Sequence, residues 1–199
     1  MDIVKKTSTA SLVIAFVLLL AAAGAAQQTE GKLAKRIQVK ATAMGQMQKL
    51  GQIIDIDVIV NELSTAADQK ALMEAFRARG NEGLVNALEK MPSKGRLAIS
   101  GTLGYDVAYI RRFNNADGTV TMRIVTDRAI RFGEVWHDTR SSDYTLSALE
   151  IIFNRNKKGK IKGKGTLTPA CKFDLDDNNQ LRIKLFENAW DLDHVTVYL

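Results

Sequence analysis

The chain has one cysteine, Cys171, two prolines, Pro92 and Pro169, and two histidines, His137 and His194. A single cysteine excludes an intrachain disulfide, so the fold must rest on its apolar core even in an oxidising compartment. A lone thiol in a strand-like segment reads as a small buried hydrophobe. With so little proline and no Gly/Ser/Pro-rich stretch, there is no linker from which a second domain would hang. The histidines are far apart and lack His-x-x-x-His spacing, which argues against a zinc site; His194 reads as a satisfied strand histidine. No Gly-x-Ser-x-Gly elbow is present, and no motif calls for a cofactor. After residue 26, no apolar run approaches the ~20 residues that cross a bilayer.

The first 26 residues differ from the rest. Lys5 and Lys6 precede an uncharged run, Leu12 to Ala23, and Ala23-Gly24-Ala25 supplies small residues ahead of Gln27-Gln28. That order of features reads as a cleavable export signal, with cleavage after Ala25 or Ala26; the rival is an uncleaved membrane anchor, for which the uncharged run falls short of the ~20 residues that span a bilayer. No cysteine ends the apolar run, so the lipoprotein route is closed. Residues 27–199 are then expected to form a single β-rich domain outside the cytoplasm, periplasmic or secreted. Without Lys5, Lys6 and Asp2 the remainder keeps 26 basic and 21 acidic residues. This mild positive charge favours loose attraction to anionic surfaces and falls short of the basic clustering of a nucleic-acid binder.

Gln27 to Leu33 is polar and reads as a terminus. Ile37, Val39, Ala41 and Ala43 then alternate with Arg36, Gln38, Lys40 and Thr42, the period of a half-buried strand. Ile54, Ile56, Val58 and Val60, with Asp55 and Asp57 between them, predict its hairpin partner. The period changes after Leu63. Thr65 and Asp68 have capping-box spacing, Leu72, Met73 and Phe76 follow at helical spacing, and Gly80-Asn81 interrupts. A second stripe of Leu84, Val85, Leu88 and Met91 ends at Pro92. A helix pair over 65–79 and 82–91 is predicted, its stripes facing a sheet.

The rest reads as short strands and turns: 96–100, 105–113, 119–125, 130–135, 144–154, 160–167, 170–175, 181–187 and 192–198. For the turn at Asn115 to Gly118, a four-residue loop is expected, pairing Phe113 with Val120 and Tyr109 with Ile124. That choice avoids setting Arg112 against Arg123. The expected fold is α+β: a mainly antiparallel β-sandwich or barrel with an inserted pair of helices over an open edge.

Thr126 to Phe132, Arg140 to Leu146 and the Gly163-Lys164-Gly165 arm together resemble an uncharacterised family of exported bacterial proteins of similar length. Arg131-Phe132-Gly133-Glu134 stands where that family carries Gly-Phe-Trp-Glu. The resemblance implies export and a shared β-rich domain, and it brings no catalytic residues with it.

Two stretches are candidate sites. Trp136 to Asp143 gathers His137, Asp138, Ser141 and Asp143; a hydrolase would use His137 as base, an aspartate to orient it, and Ser141 as nucleophile. Neighbours in sequence seldom converge in a triad, so a polar connecting loop is the plainer reading. In the second, Lys158, Lys160, Lys162 and Lys164 alternate with Gly159, Ile161, Gly163 and Gly165, which makes one strand face a lysine stripe. It reads either as an edge strand guarded against pairing or as a contact for anionic lipid or polysaccharide. The absence of an aromatic within it counts against single-stranded nucleic acid. Asp174 to Asn179 lacks the glycine and glutamate of a calcium loop and reads as a turn. The expected function is a non-catalytic exported binding or envelope-interaction domain. The alternatives are an extracytoplasmic hydrolase using the 136–143 loop and a structural envelope component.

Overall fold

The two alternating runs near the N-terminus pair as a hairpin. The computed structural model describes residues 28–29, 31–45, 51–130, 145–154, 160–175, 181–185 and 189–199. In it, β2 (Gly31–Met44) and β3 (Ile53–Leu63) run antiparallel, with Val39 opposite Val58 and Ala41 opposite Ile56. Ile37, Val39, Ala41, Ala43, Ile56, Val58 and Val60 are buried. On the outer face Thr42 donates to Asp55 at 2.8 Å and Lys40 lies 3.8 Å from Asp57. The polar terminus is shorter than expected. Gln28–Thr29 forms β1, and β2 begins at Gly31, with its first residues set against Leu63 and Glu62.

Between β3 and β4 (Gly95–Ile99) lies α1, Ala66–Lys90. The remaining strands are β5 (Tyr105–Val107), β6 (Tyr109–Asn114), β7 (Thr119–Thr126), β8 (Leu146–Asn154), β9 (Lys160–Leu175), β10 (Leu181–Leu185) and β11 (Trp190–Tyr198). All join one antiparallel sheet in the order β1-β6-β7-β8-β9-β11-β2-β3-β4-β5, with β10 added to β9. The sheet curls until its ends approach. Ser64, just after β3, donates its backbone N–H to the Ile110 carbonyl at 2.7 Å and accepts from the Ile110 N–H at 3.0 Å through its hydroxyl. The result is a nearly closed barrel rather than two stacked sheets.

One apolar cluster fills the barrel, from Val39 and Val58 through Ile124, Ile151 and Leu167 to Trp190 and Val197. Aliphatics inside with Lys40, Asp55, Asp57 and Glu150 outside reverse the pattern of a lipid-facing barrel. No helix among the described residues is long and apolar enough to cross a membrane.

Pairing shifts at three places among the described residues, between Lys32 and Ile37 of β2 and at two further bulges. Pairing of β8 with β9 shifts between Leu146/Cys171 and Ala148/Thr168, an extra residue on β9 around Pro169. Proline has no N–H to donate, so a bulge is where it fits. Its carbonyl accepts from the Ile130 N–H at 2.9 Å and lies 2.7 Å from the buried Ser147 hydroxyl. The extra residue flips the pleat. Leu167 therefore points into the barrel, whereas Cys171 and Phe173 point outward. Thus 160–175 is one bent strand instead of the expected two. The second bulge is at His194, whose φ of 49° breaks the pairing of β11 with both neighbours. His194 lies within β11 and is exposed there, 3.9 Å from the Asp193 carboxylate.

Further expectations need correction. The 105–113 run divides at Ala108 into β5 and β6. Its hairpin with β7 pairs Phe113 with Thr121 and Tyr109 with Val125, one residue away from the expected register. Gly118 at φ 80° lets the Asn115 N–H reach the Thr119 carbonyl across three residues. That register sets Arg111 directly opposite Arg123. The helical run Ala66–Lys90 is one continuous element but kinks at the expected interruption, with Arg79 and Gly80 outside helical geometry, the latter at φ 58°, ψ −142°. Only glycine visits that region readily.

Candidate functional site

Cysteine 171, Phe173, Leu146 and Ala148 would leave an apolar patch on the outside of the barrel, and α1 covers it. Leu72, Leu84 and Leu88 are the buried leucines of the helix, packed in a second cluster with those strand residues. Each such burial contributes roughly 1.5–3 kcal/mol, against ~1 kcal/mol for a single hydrogen bond, so the leucines decide that the helix docks. The polar contacts decide where.

Two fastenings hold α1 to the barrel, and a cap of its own closes its end. At its start, the Thr65 hydroxyl accepts from the Asp68 N–H at 3.1 Å and the Asp68 carboxylate accepts from the Thr65 N–H at 2.7 Å. Lys94, only 4% exposed, lies 3.4 Å from that same carboxylate and 2.7 Å from Glu62 on β3. Burial works against the charged form of Asp68, but the Thr65 N–H and the Lys94 charge outweigh it and hold the carboxyl below its ordinary range. Burial likewise opposes the Lys94 ammonium, and bonding to Glu62 and Asp68 holds its pKa above the usual lysine value. At the break, Asn81 donates to the Phe173 carbonyl at 2.9 Å and accepts from the Phe173 N–H at 2.7 Å. A side-chain amide thereby serves β9 as a strand would. At the end, the Met91 N–H returns to the Leu88 carbonyl at 3.1 Å, just before Pro92.

Between these points the helix rests on Leu72, Leu84 and Leu88, with a groove beside them. A groove of about 340 Å³ runs between α1 and the outward faces of β6, β7, β9 and β10. Its walls include Leu72, Leu84, Leu88, Val125, Phe173 and Leu181, and polar groups enter from Gln69, Tyr109 and Arg123. Burial pushes the Tyr109 phenol up to about 12 against the pull of the Arg111 and Arg123 guanidiniums, so it stays protonated and can donate. Arg123 is 59% exposed, 2.6 Å from Glu150, and 5.3 Å from the centroid of the Phe113 ring.

No protein family, curated protein or solved structure matches this chain. The site has to be read from its own residues.

Of the residues that the sequence singles out, His137, Asp138, Ser141 and Asp143 lie outside the described residues, as does Lys158. Asp176 to Asn179 also falls outside. Lys160 opens β9 opposite Tyr198. Lys162 and Lys164 are exposed on the outer face of the barrel, but not on an edge, because β9 pairs with β8 on one side and β11 on the other. Guarding a free edge is therefore not their role. Lys164 shares a hollow with Glu150 and Asp191, so this part of the lysine stripe meets opposite charge. Cys171 is fully buried, and burial pushes its thiol up to about 12. Among the described residues no cluster of three or more His, Cys, Asp or Glu could hold a metal.

Sequence reasoning missed the groove and its fastenings. Asn81 read only as a helix interruption, and Lys94 was not singled out. A faint signal was present in Tyr109, Arg111 and Phe113, spaced two apart and thus on one face, a row of aromatic and cationic side chains that a core strand would not carry.

Proposed function

We propose that this chain is an exported, non-catalytic binding domain that takes a small, largely apolar ligand between α1 and the barrel wall. The observation that carries the reading is the groove itself. Its volume of about 340 Å³ is at the lower end of the range for small-molecule sites, and apolar walls with a few polar groups are what such sites present. Among the described residues the groove's polar groups are Gln69, Tyr109 and Arg123, which suit recognition. Among the described residues the barrel interior is lined by a continuous cluster of buried apolar side chains.

Met73 lines the groove and is half-buried, so Met73→Trp should occlude it. With 1-naphthol, uncharged at neutral pH, the wild type should change the probe's fluorescence saturably at one site, and Met73→Trp should remove that change. Equal binding by both proteins would overturn the reading.

Export is supported by the leader-like features of residues 1–26. Cleavage after Ala25 or Ala26 would remove none of the described strands, since β1 starts at Gln28. Sequencing the protein from its native host should find Ala26 or Gln27 first. An intact Met1 in the membrane fraction would contradict export by this route.

An anionic envelope surface as partner, contacted through Lys158, Lys160, Lys162 and Lys164, ranks second. Glu150 and Asp191 beside Lys164 make that part of the face mixed in sign, which weakens attraction to a uniformly negative surface.

A further inference from the structure

Among the described residues the groove is lined by a single ionised side chain, Arg123. Its charge is already met, because the guanidinium Nε donates to the Glu150 carboxylate at 2.6 Å. Asp68, whose charge reaches Tyr109, is likewise held, by Lys94 at 3.4 Å and by the Thr65 N–H at 2.7 Å. A charged ligand would have to compete with partners already in place. An anion brought to Arg123 meets Glu150, and a cation brought to Glu150 meets Arg123. Either would also leave water for walls of Leu72, Leu84, Leu88, Val125 and Phe173, and a charge buried without a partner of its own is strongly disfavoured. Tyr109 is different. It enters the lining from β6, half-buried, and its hydroxyl makes no hydrogen bond among the described residues. Burial keeps that hydroxyl protonated, and a covered tyrosine O–H ordinarily finds an acceptor. Here the groove is where an acceptor can come from.

We infer that the occupant of this groove is an uncharged, mostly apolar molecule bearing a carbonyl oxygen, which accepts from the Tyr109 hydroxyl while the rest lies among the leucines of α1. The inference rests on the binding reading above and names the ligand class for that same site. A carbonyl oxygen has two lone pairs and no hydrogen to give. It can take the Tyr109 hydroxyl from the barrel wall and the Gln69 amide from the first turn of α1, and it brings no donor that the apolar walls would leave unmet. Being neutral, it leaves the Arg123–Glu150 pair undisturbed. A bilayer surface is a poorer fit, because the groove is a cleft beside a helix and the large exposed apolar residues Met44, Ile53 and Leu103 lie outside its lining.

The test uses four naphthalene probes: the ketone 2-acetylnaphthalene, the hydrocarbon 2-isopropenylnaphthalene, in which a methylene group replaces the carbonyl oxygen, the anion 2-naphthoate and the cation 2-naphthylmethylammonium. Equilibrium dialysis at neutral pH would compare the wild-type protein with Tyr109→Phe, which removes the hydroxyl and keeps the ring. The wild type should bind the ketone about fivefold more tightly than the hydrocarbon, the worth of one neutral hydrogen bond, and both ions more weakly than the ketone. Tyr109→Phe should bring the ketone down to the level of the hydrocarbon while leaving the hydrocarbon unchanged, which also shows that the variant is folded. Equal affinity of the wild type for ketone and hydrocarbon, or tightest binding of either ion, would overturn the carbonyl inference and leave the binding reading standing. So would a Tyr109→Phe protein that keeps the ketone preference or weakens both neutral probes alike. No binding of any of the four would overturn both.

Discussion

Ile56→Asp should cost several kcal/mol or prevent folding altogether, because it places a carboxylate without a partner inside the barrel. Ile56 is 2% exposed, on β3 between Ala41 of β2 and Ile99 of β4. Its cross-strand partners Ala41 and Ile99 are apolar and it belongs to the buried aliphatic cluster, which gives a carboxylate no compensation. The next residue supplies the control. Asp57 points outward, accepts from the Ser100 hydroxyl at 2.6 Å and lies 3.8 Å from Lys40. Exposed interactions of this sort are worth up to about 1 kcal/mol, so Asp57→Ser should change stability by no more than that. Urea denaturation of the two variants measures the difference, and equal losses of midpoint would mean that the strand faces are assigned wrongly.

Gly165→Val should be the second large effect, although valine is the better strand former. A Cβ at position 165 would sit 2.4 Å from the Glu150 carbonyl oxygen and 3.1 Å from Leu192 Cδ1. The first of these is backbone in a paired strand and has little room to move. Overpacking of this type costs about 1–3 kcal/mol, and here it falls between β8 and β11, so both pairings must shift. Lys164→Val, pointing the other way into solvent, should be close to neutral in the same denaturation experiment. A Gly165→Val protein as stable as wild type would show that the strands do not approach as closely as the structure has them.

That glycine also shows how far the sequence can be read. The Lys-Gly alternation of 160–165 was legible as a strand with one charged face, but not as a central strand. What makes it central is β11, which returns from the end of the chain to lie beside it, and adjacency in a sheet leaves no local trace. The first hairpin was legible because both of its strands bury one face only, so polar and apolar residues alternate cleanly. The 105–114 stretch was harder. Ala108 and Ile110 are buried, Arg111 is buried opposite Arg123, and Tyr109 is half-covered, because α1 lies over what would otherwise be the wet face. With both faces partly covered, the alternation blurs and register follows the turn. Gly118 at positive φ decided that turn in favour of a pairing that electrostatics alone would have rejected. The Thr65–Asp68 capping box, by contrast, forms as its spacing predicts. It is a local device and needs only four residues. The groove needs Leu72, Leu84, Val125, Phe173 and Leu181 together, and no sequence window contains them.

Mapping methyl resonances during titration with 1-naphthol tests the central claim, a ligand site between α1 and the barrel wall, most directly. Aromatic ring currents should displace the methyl signals of Leu72, Leu84, Leu88, Val125 and Leu181, which line the groove. Those of Val39, Val58, Ile151 and Val197, in the filled barrel interior, should stay in place. Shifts confined to the groove methyls are the predicted result. Shifts centred on the barrel interior, or none at saturating probe, would contradict the account.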